Sequence, residues 1–227
     1  MTKNMTYKNT SPILFALLAC ILLTAGCTGS GVVRQHPSVS DTGSGYLSVV
    51  VLPDSLALLP PPPAEGSAAM ALDIDVNRKS SAFRGSPRWV LAAEDAVLKF
   101  PEAAGTFSCA LNAPITESDT PHLYTLLLKT LNDVGRSTQK AKNYYKRLRP
   151  FVVNHEPSCT PDDEKAIARS GSYPSGHTAI GWAWALILTE ISPEQTDAVL
   201  ARGRAFGESR LICNVHWQSD VSEGRIM

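Results

Sequence analysis

Residues 171–191 read GSYPSGHTAIGWAWALILTEI, and this stretch decides how the chain folds. From Gly176 to Ile191 it is apolar nearly all round, through Ile180, Trp182, Trp184, Leu186, Ile187 and Leu188. A helix without a polar face is expected to be buried and central. Ahead of it, glycines, serines and a proline form a loop that feeds the helix N-terminus. Free backbone N–H groups and the positive end of the helix dipole meet there, which suits a phosphate. Gly176 removes a side chain that would block close approach, and His177 falls in the first turn. A serine N-cap with an incidental histidine fits the same residues. The window Tyr-Pro-Ser-Gly-His around Ser175 is not the Gly-x-Ser-x-Gly elbow of a serine hydrolase.

Working outward, helical spacing continues on both sides. Trp89, Val90, Ala93, Val97 and Phe100 recur every three or four residues. Asp119-Thr120-Pro121 opens a second candidate helix with proline in its first turn. A third covers Thr138 to Leu148 and stops at Pro150. Pro193 restarts a helix through Phe206, and another is expected from Ser209 to Val221. The only strand candidate is Tyr46 to Leu52. The fold class is therefore all-α, a helical bundle.

The chain has 227 residues, with 21 basic and 21 acidic side chains. That balance excludes a strongly basic nucleic-acid binder and an acidic disordered tail. The first residues, MTKNMTYKNTSPILFALLACILLTAGC, carry Lys3 and Lys8 before an apolar run from Ile13 to Leu23. The run is shorter than the ~18 residues that span a bilayer, and small residues follow it, so residues 1–26 read as a secretory signal peptide. Leu23-Thr24-Ala25-Gly26-Cys27 also resembles a lipoprotein processing box, with Cys27 as the lipidated residue; cleavage without lipid and a plain N-terminal membrane anchor are the other readings. Removing 1–26 takes away two lysines and no acid, leaving 19 basic against 21 acidic residues. The product is expected in the periplasm, where disulfides persist, tied to the outer membrane only if Cys27 carries lipid. Besides Cys27, three other cysteines remain, Cys109, Cys159 and Cys213; three cannot pair completely, and sequence alone does not choose the pair. Residues 27–66 read as a flexible arm and a strap, since Pro60 to Pro63 cannot be helical. Residues 67–227 form the helical domain.

Two further clusters stand beside the loop at 171–178. Lys142 and Arg149 are seven residues apart, two helical turns, and so are expected to project from one cationic face suited to an anion or simply to solvent. In Ser209-Arg210-Leu211-Ile212-Cys213-Asn214-Val215-His216-Trp217-Gln218-Ser219-Asp220, His216 and Asp220 are one helical turn apart. A carboxylate on one ring nitrogen fixes the tautomer and leaves the other as a nucleophile or base. Taken alone, the pair also fits a core histidine or half of a metal site, but no further Asp, Glu or His lies at ligand-like spacing.

Together, Lys-x6-Arg-Pro, Pro-Ser-Gly-His and Ser-Arg-x5-His-x3-Asp, in that order, resemble the three-part signature of the acid phosphatase and vanadium haloperoxidase superfamily, which includes type-2 phosphatidic acid phosphatases. The string from Gly171 to Thr178 looks like the mark of the bacterial class A non-specific acid phosphatases. The likeness extends through Ala113-Pro114-Ile115-Thr116 and covers roughly Leu72 onward.

The resemblance implies a helical bundle of that type and broad-specificity hydrolysis of phosphate monoesters at acid pH, with phosphate also passed to alcohols. His216 would form a phosphohistidine, Asp220 would orient and charge-balance it, and His177 would protonate the leaving alcohol. Lys142, Arg149, Arg210, Ser175 and the Gly176 N–H would hold the phosphate oxygens, with no metal or other cofactor. Cys159 and Cys213 match a cysteine pair of relatives, so the resemblance implies that disulfide and a free Cys109. Small phosphomonoesters are the expected partners, with no nucleic acid; dimers occur among similar proteins, and the sequence leaves that open. The alternatives within the superfamily are a lipid phosphate phosphatase and a vanadate-dependent haloperoxidase. Relatives continue past the last motif with more helix, whereas this chain ends at Met227, which implies C-terminal truncation or a short terminal helix.

Overall fold

In the computed structural model, which describes residues 44–227, the helical patterning is realised as eleven α-helices joined by short turns. In chain order they are α1 (Ser55–Leu58), α2 (Ala68–Ser80), α3 (Pro87–Glu94), α4 (Ser108–Leu111), α5 (Pro121–Ser137), α6 (Gln139–Tyr145), α7 (Pro150–Asn154), α8 (Glu164–Ile167), α9 (Gly176–Ile191), α10 (Thr196–Ile212) and α11 (Gln218–Ile226). No strand occurs among the described residues. The expected leader, Cys27 and the first part of the arm lie outside them.

Helices α9 and α10 form the centre. They pack antiparallel and close, because small residues sit where the axes cross. A Cβ placed on Gly203 would stand 2.5 Å from that of Ala185, and one on Gly181 would strike the Phe206 ring. Around them the core gathers Phe107, Leu127, Trp184, Leu188, Val199 and Phe206, each essentially without solvent contact. Trp184 satisfies its one polar atom by donating Nε1–H to the Leu127 carbonyl of α5 at 3.1 Å. A second cluster, Ala92, Phe151, Ile212, Cys213 and Val215, lies under the segment that carries His216. The Cys159–Cys213 disulfide is formed there, and Cys109 is free and exposed.

Several sequence expectations change. Central helix α9 is not enclosed on every side, since Leu186 and Ile191 are about half exposed. Tyr46 to Leu52 is no strand: Val49–Val51 form a 3-10 turn with no strand to pair with among the described residues, and the backbone N–H groups of Tyr46 and Leu47 go to the Asp133 carboxylate. Helix α3 stops at Glu94, before Val97 and Phe100, because the buried Asp95 beyond it is committed to Arg202 and Ser209. The helix expected over Thr138 to Leu148 ends at Tyr145, where Lys146 takes a left-handed conformation with φ +46°. The helix expected from Ser209 to Val221 is two helices, α10 and α11, joined by residues 213–217.

The proline strap runs over the bundle without helix. Asp54 caps α1 and pairs with Lys140 at 2.6 Å, the Ser55 hydroxyl accepts the Ala141 N–H, and Tyr173 donates its hydroxyl proton to the Pro60 carbonyl at 2.6 Å. No described helix is long and apolar enough to cross a membrane.

Candidate active site

The three sequence clusters converge at the N-terminus of α9. Ser175 caps that helix by accepting the Thr178 N–H at 3.2 Å, and the preceding loop is locked from below by Ser175 N–H donating to the Asp220 carbonyl at 2.9 Å. His177 is in the first turn and Gly176 at its start. A Cβ on Gly176 would stand 3.8 Å from Lys142 Cε, so the missing side chain leaves room beside the lysine.

Lys142 and Arg149 do reach one place, but not along one helical face. With α6 ended at Tyr145, Arg149 is the extended residue that precedes α7. Lys142 Nζ donates to the carbonyls of Gly171 at 3.0 Å and Ser172 at 3.4 Å, which ties it to the loop. Arg149 donates Nε–H to the Ile167 carbonyl at 2.9 Å and Nη1–H to that of Val215 at 3.0 Å. Arg210, in the last turn of α10, is buried with Nε and Nη1 lacking any partner among the described residues. Buried guanidinium donors are rarely left unmatched, so the pair of free N–H groups marks where an anion fits.

His216 is 3% exposed, and both ring nitrogens have a fixed role. Nε2 lies 3.1 Å from Arg149 Nη1, and because arginine only donates, Nε2 is the unprotonated acceptor. Nδ1, 3.3 Å from Asp220 Oδ2, therefore carries the proton and donates it to the carboxylate. His216 itself is outside the helix. Asp220 is in the first turn of α11, where it also accepts the Trp217 N–H at 2.9 Å. His177 differs: its Nε2 is 2.9 Å from the Ala96 carbonyl, an acceptor only, so Nε2 is protonated and Nδ1 is left to exchange a proton.

The electrostatics follow from burial among cations. Both imidazoles are held well below the usual histidine range by burial first; Arg210 comes next for His177, and Arg149 with Lys142 for His216. Each of Arg210, Arg149 and His216 acts on His177, so the groups share one buried space. Burial, reinforced by Arg149, brings Lys142 down to about 7. Arg149 and Arg210 are lowered to about 10, again chiefly by burial. Burial pushes the Asp220 carboxyl up, and Arg147 pulls it back.

Sequence reading missed the groups behind the site. Arg147 sits in the middle of the basic run, yet its guanidinium is spent on two carboxylates. Its Nη1 is 2.6 Å from Asp220 Oδ1, its Nη2 is 2.7 Å from Asp73 Oδ2, and its plane lies over the Trp217 ring. Asp73, on α2, also accepts the N–H and hydroxyl of Ser219 at 2.7 and 2.6 Å. No spacing rule links residue 73 to residue 147, so only the fold exposes this chain. Among the described residues no group of three or more His, Cys, Asp or Glu is placed to hold a metal ion.

Residues 121–227 match the PAP2 superfamily. The chain is 47% identical over 175 residues to a non-specific acid phosphatase of Providencia stuartii, which covers 77% of this chain and 71% of that one. The chain belongs to the non-specific acid phosphatase family. An acid phosphatase of Zymomonas mobilis is 39% identical over 217 residues, covering 92% of this chain and 80% of the relative. The non-specific acid phosphatase of Salmonella typhimurium is 45% identical over 168 residues, covering 74% and 67%. A solved transmembrane PAP2-type phosphatidylglycerolphosphate phosphatase of Bacillus subtilis is 17% identical with a TM-score of 0.44, covering 75% of this chain and 83% of that chain. All three motif clusters of this acid phosphatase family member fall within residues 121–227.

Proposed function

We propose that this protein hydrolyses phosphate monoesters, without a metal ion, through a phosphohistidine on His216. The observation that carries the reading is the double anchoring of one imidazole. Asp220 holds the proton on Nδ1, and Arg149 marks the lone pair on Nε2 beside unpartnered Arg210 donors.

In the first step Nε2 of His216 bonds to phosphorus while the bond from phosphorus to the ester oxygen breaks. The proton that the departing alkoxide needs comes from His177. In the second step water attacks phosphorus, the P–N bond breaks, and His177 takes the proton from that water. An alcohol in place of water gives phosphotransfer. Lys142, Arg149, Arg210, Ser175 and the Gly176 N–H neutralise the oxygens, a task that is mostly positioning and charge stabilisation. An incoming phosphate dianion also solves the protonation problem. Without it both imidazoles resist a second proton; its charge raises His177 toward the acid form.

Family membership supports the phosphomonoester class of substrate. The leader sequence and the disulfide support a periplasmic location, with a lipid anchor at Cys27 as its second element.

The test is turnover of p-nitrophenyl phosphate by wild type, His216→Ala and His177→Ala in excess EDTA. Wild type keeps its rate in EDTA. His177→Ala accumulates protein heavier by one phosphoryl group in intact mass, and His216→Ala does not. Label on His216→Ala, or loss of wild-type rate in EDTA, overturns the mechanism.

A further inference from the structure

Lys142, Gly176 and His177 form one end of an open cleft of about 350 Å³. Its far end is built from one face of α5 and the start of α6, through Asn132, Arg136 and Gln139, with Leu98, Leu131 and Ile180 as apolar walls. Among the described residues no acidic side chain lines it. Among the described residues the lysines and arginines of the lining are Lys142, which belongs to the phosphate end, and Arg136, which does not. Gln139 spends its side-chain N–H on the Gly135 carbonyl at 3.2 Å. Arg136 is partly exposed, and no ion pair or hydrogen bond holds its guanidinium among the described residues.

The alcohol of a monoester protonated by His177 belongs in this cleft, because of the two cavities that open at Lys142 it is the one His177 lines. Arg136 and Lys142 are six residues apart, on the order of 9 Å along the nearly continuous axis of α5 and α6. A planar guanidinium that far out suits a carboxylate or a phosphate, both of which accept its paired N–H groups. We propose that Arg136 gives the enzyme a preference for phosphomonoesters whose alcohol carries a second anionic group. The inference rests on the phosphatase reading above and adds the class of alcohol. A residue that merely complements the C-terminal dipole of α5 would stabilise the helix and leave the choice of substrate untouched.

The experiment compares kcat/KM for phenyl phosphate, 4-carboxyphenyl phosphate and 1,4-phenylene bisphosphate, in wild type, Arg136→Gln, Arg136→Lys and Arg136→Glu. The readout is the ratio of each doubly anionic substrate to phenyl phosphate, which cancels general losses. Arg136→Gln is expected to lower that ratio roughly two- to fivefold, the range of a partly exposed ion pair, Arg136→Glu further, and Arg136→Lys to restore part of it. The carboxylate and bisphosphate arms show which anion is preferred. In wild type alone, the ratio is expected to shrink as salt rises. A ratio that ignores both the Gln substitution and ionic strength overturns the role of Arg136 while leaving the phosphatase intact. If wild type turns over none of the three, the phosphatase reading itself fails.

Discussion

The Asp220 carboxylate divides its two oxygens between an imidazole and a guanidinium: Oδ2 faces His216 Nδ1 at 3.3 Å, while Oδ1 is clamped by Arg147 at 2.6 Å. Arg147 in turn rests on Asp73, so two buried carboxylates depend on one guanidinium. Removing it leaves both carboxylates with hydrogen bonds but without their buried cation. Arg147→Met is expected to cost about 3–5 kcal/mol of stability, by urea unfolding. Arg147→Lys should recover part of the stability but not the two-pronged geometry. Activity of the lysine variant at a temperature where it is folded separates positioning from folding; a wild-type rate would deny Arg147 any part in orienting Asp220.

Lys142 supplies a pH dependence whose sign can be worked out. Its ammonium is lowered to about 7 in the ligand-free site, and an anion favours the charged form. Anion binding is therefore at full strength below pH 7 and weakens above it, by up to about tenfold per pH unit. Sulfate, which does not titrate in this range, is the suitable probe. Its inhibition constant is expected to rise between pH 7 and 9 in wild type and to stay flatter in Lys142→Met. For the ligand-free fold the folded-state value lies below the unfolded one, so stability contributed by Lys142 falls as pH drops from the unfolded value toward 7. Sulfate should offset that loss in thermal unfolding.

Helix α11 touches the start of α9 with no room to spare. A Cβ on Gly224 would stand 2.6 Å from the Ser175 carbonyl oxygen and 3.0 Å from Thr178 Cβ. Gly224→Ala is expected to push α11 away and stretch the bond from Ser175 N–H to the Asp220 carbonyl. The expected cost is about 1–3 kcal/mol in stability. Because a small displacement at a reacting centre is amplified, kcat should fall about tenfold or more. Unaltered kinetics with p-nitrophenyl phosphate would mean that α11 can slide without moving Asp220.

The Cys159–Cys213 bridge closes a loop with a sequence separation of 54 and anchors the segment that leads to His216. By loop closure it is worth about 4 kcal/mol as an upper figure. Cys159→Ser with Cys213→Ser, or full reduction, is expected to lower the unfolding temperature and to reduce kcat more than it raises KM, since the loosened segment carries His216, the nucleophile proposed above. A variant with wild-type thermal stability would contradict this.

How far the sequence could be read depended on how local each signal was. Helix α9 and the loop before it were legible because a continuous apolar run and its cap lie within one stretch, from Gly171 to Ile191. His216 and Asp220 were paired correctly although only Asp220 is helical, since a first-turn residue reaches back to the segment before its own helix. The rule that placed Lys142 and Arg149 on one face failed, because left-handed Lys146 interrupts the helix and lysine gives no warning of that conformation. The valines at 49–51 favour strands by type, but a strand needs a neighbour and none is present among the described residues. Asp73 stayed invisible for a different reason: its partners come from distant parts of the chain, and nothing in α2 announces them.

The position of Asp73 has a consequence for cutting and grafting this protein. The span shared with the wider superfamily, 121–227, contains every group assigned to the phosphate, but the carboxylate that answers Arg147 is supplied from upstream. A transplant restricted to the shared span would import the reactive groups along with an arginine whose second counter-ion had been left behind. A recipient scaffold therefore needs its own acid at that spot, or it must accept the α2 segment as part of the same functional unit.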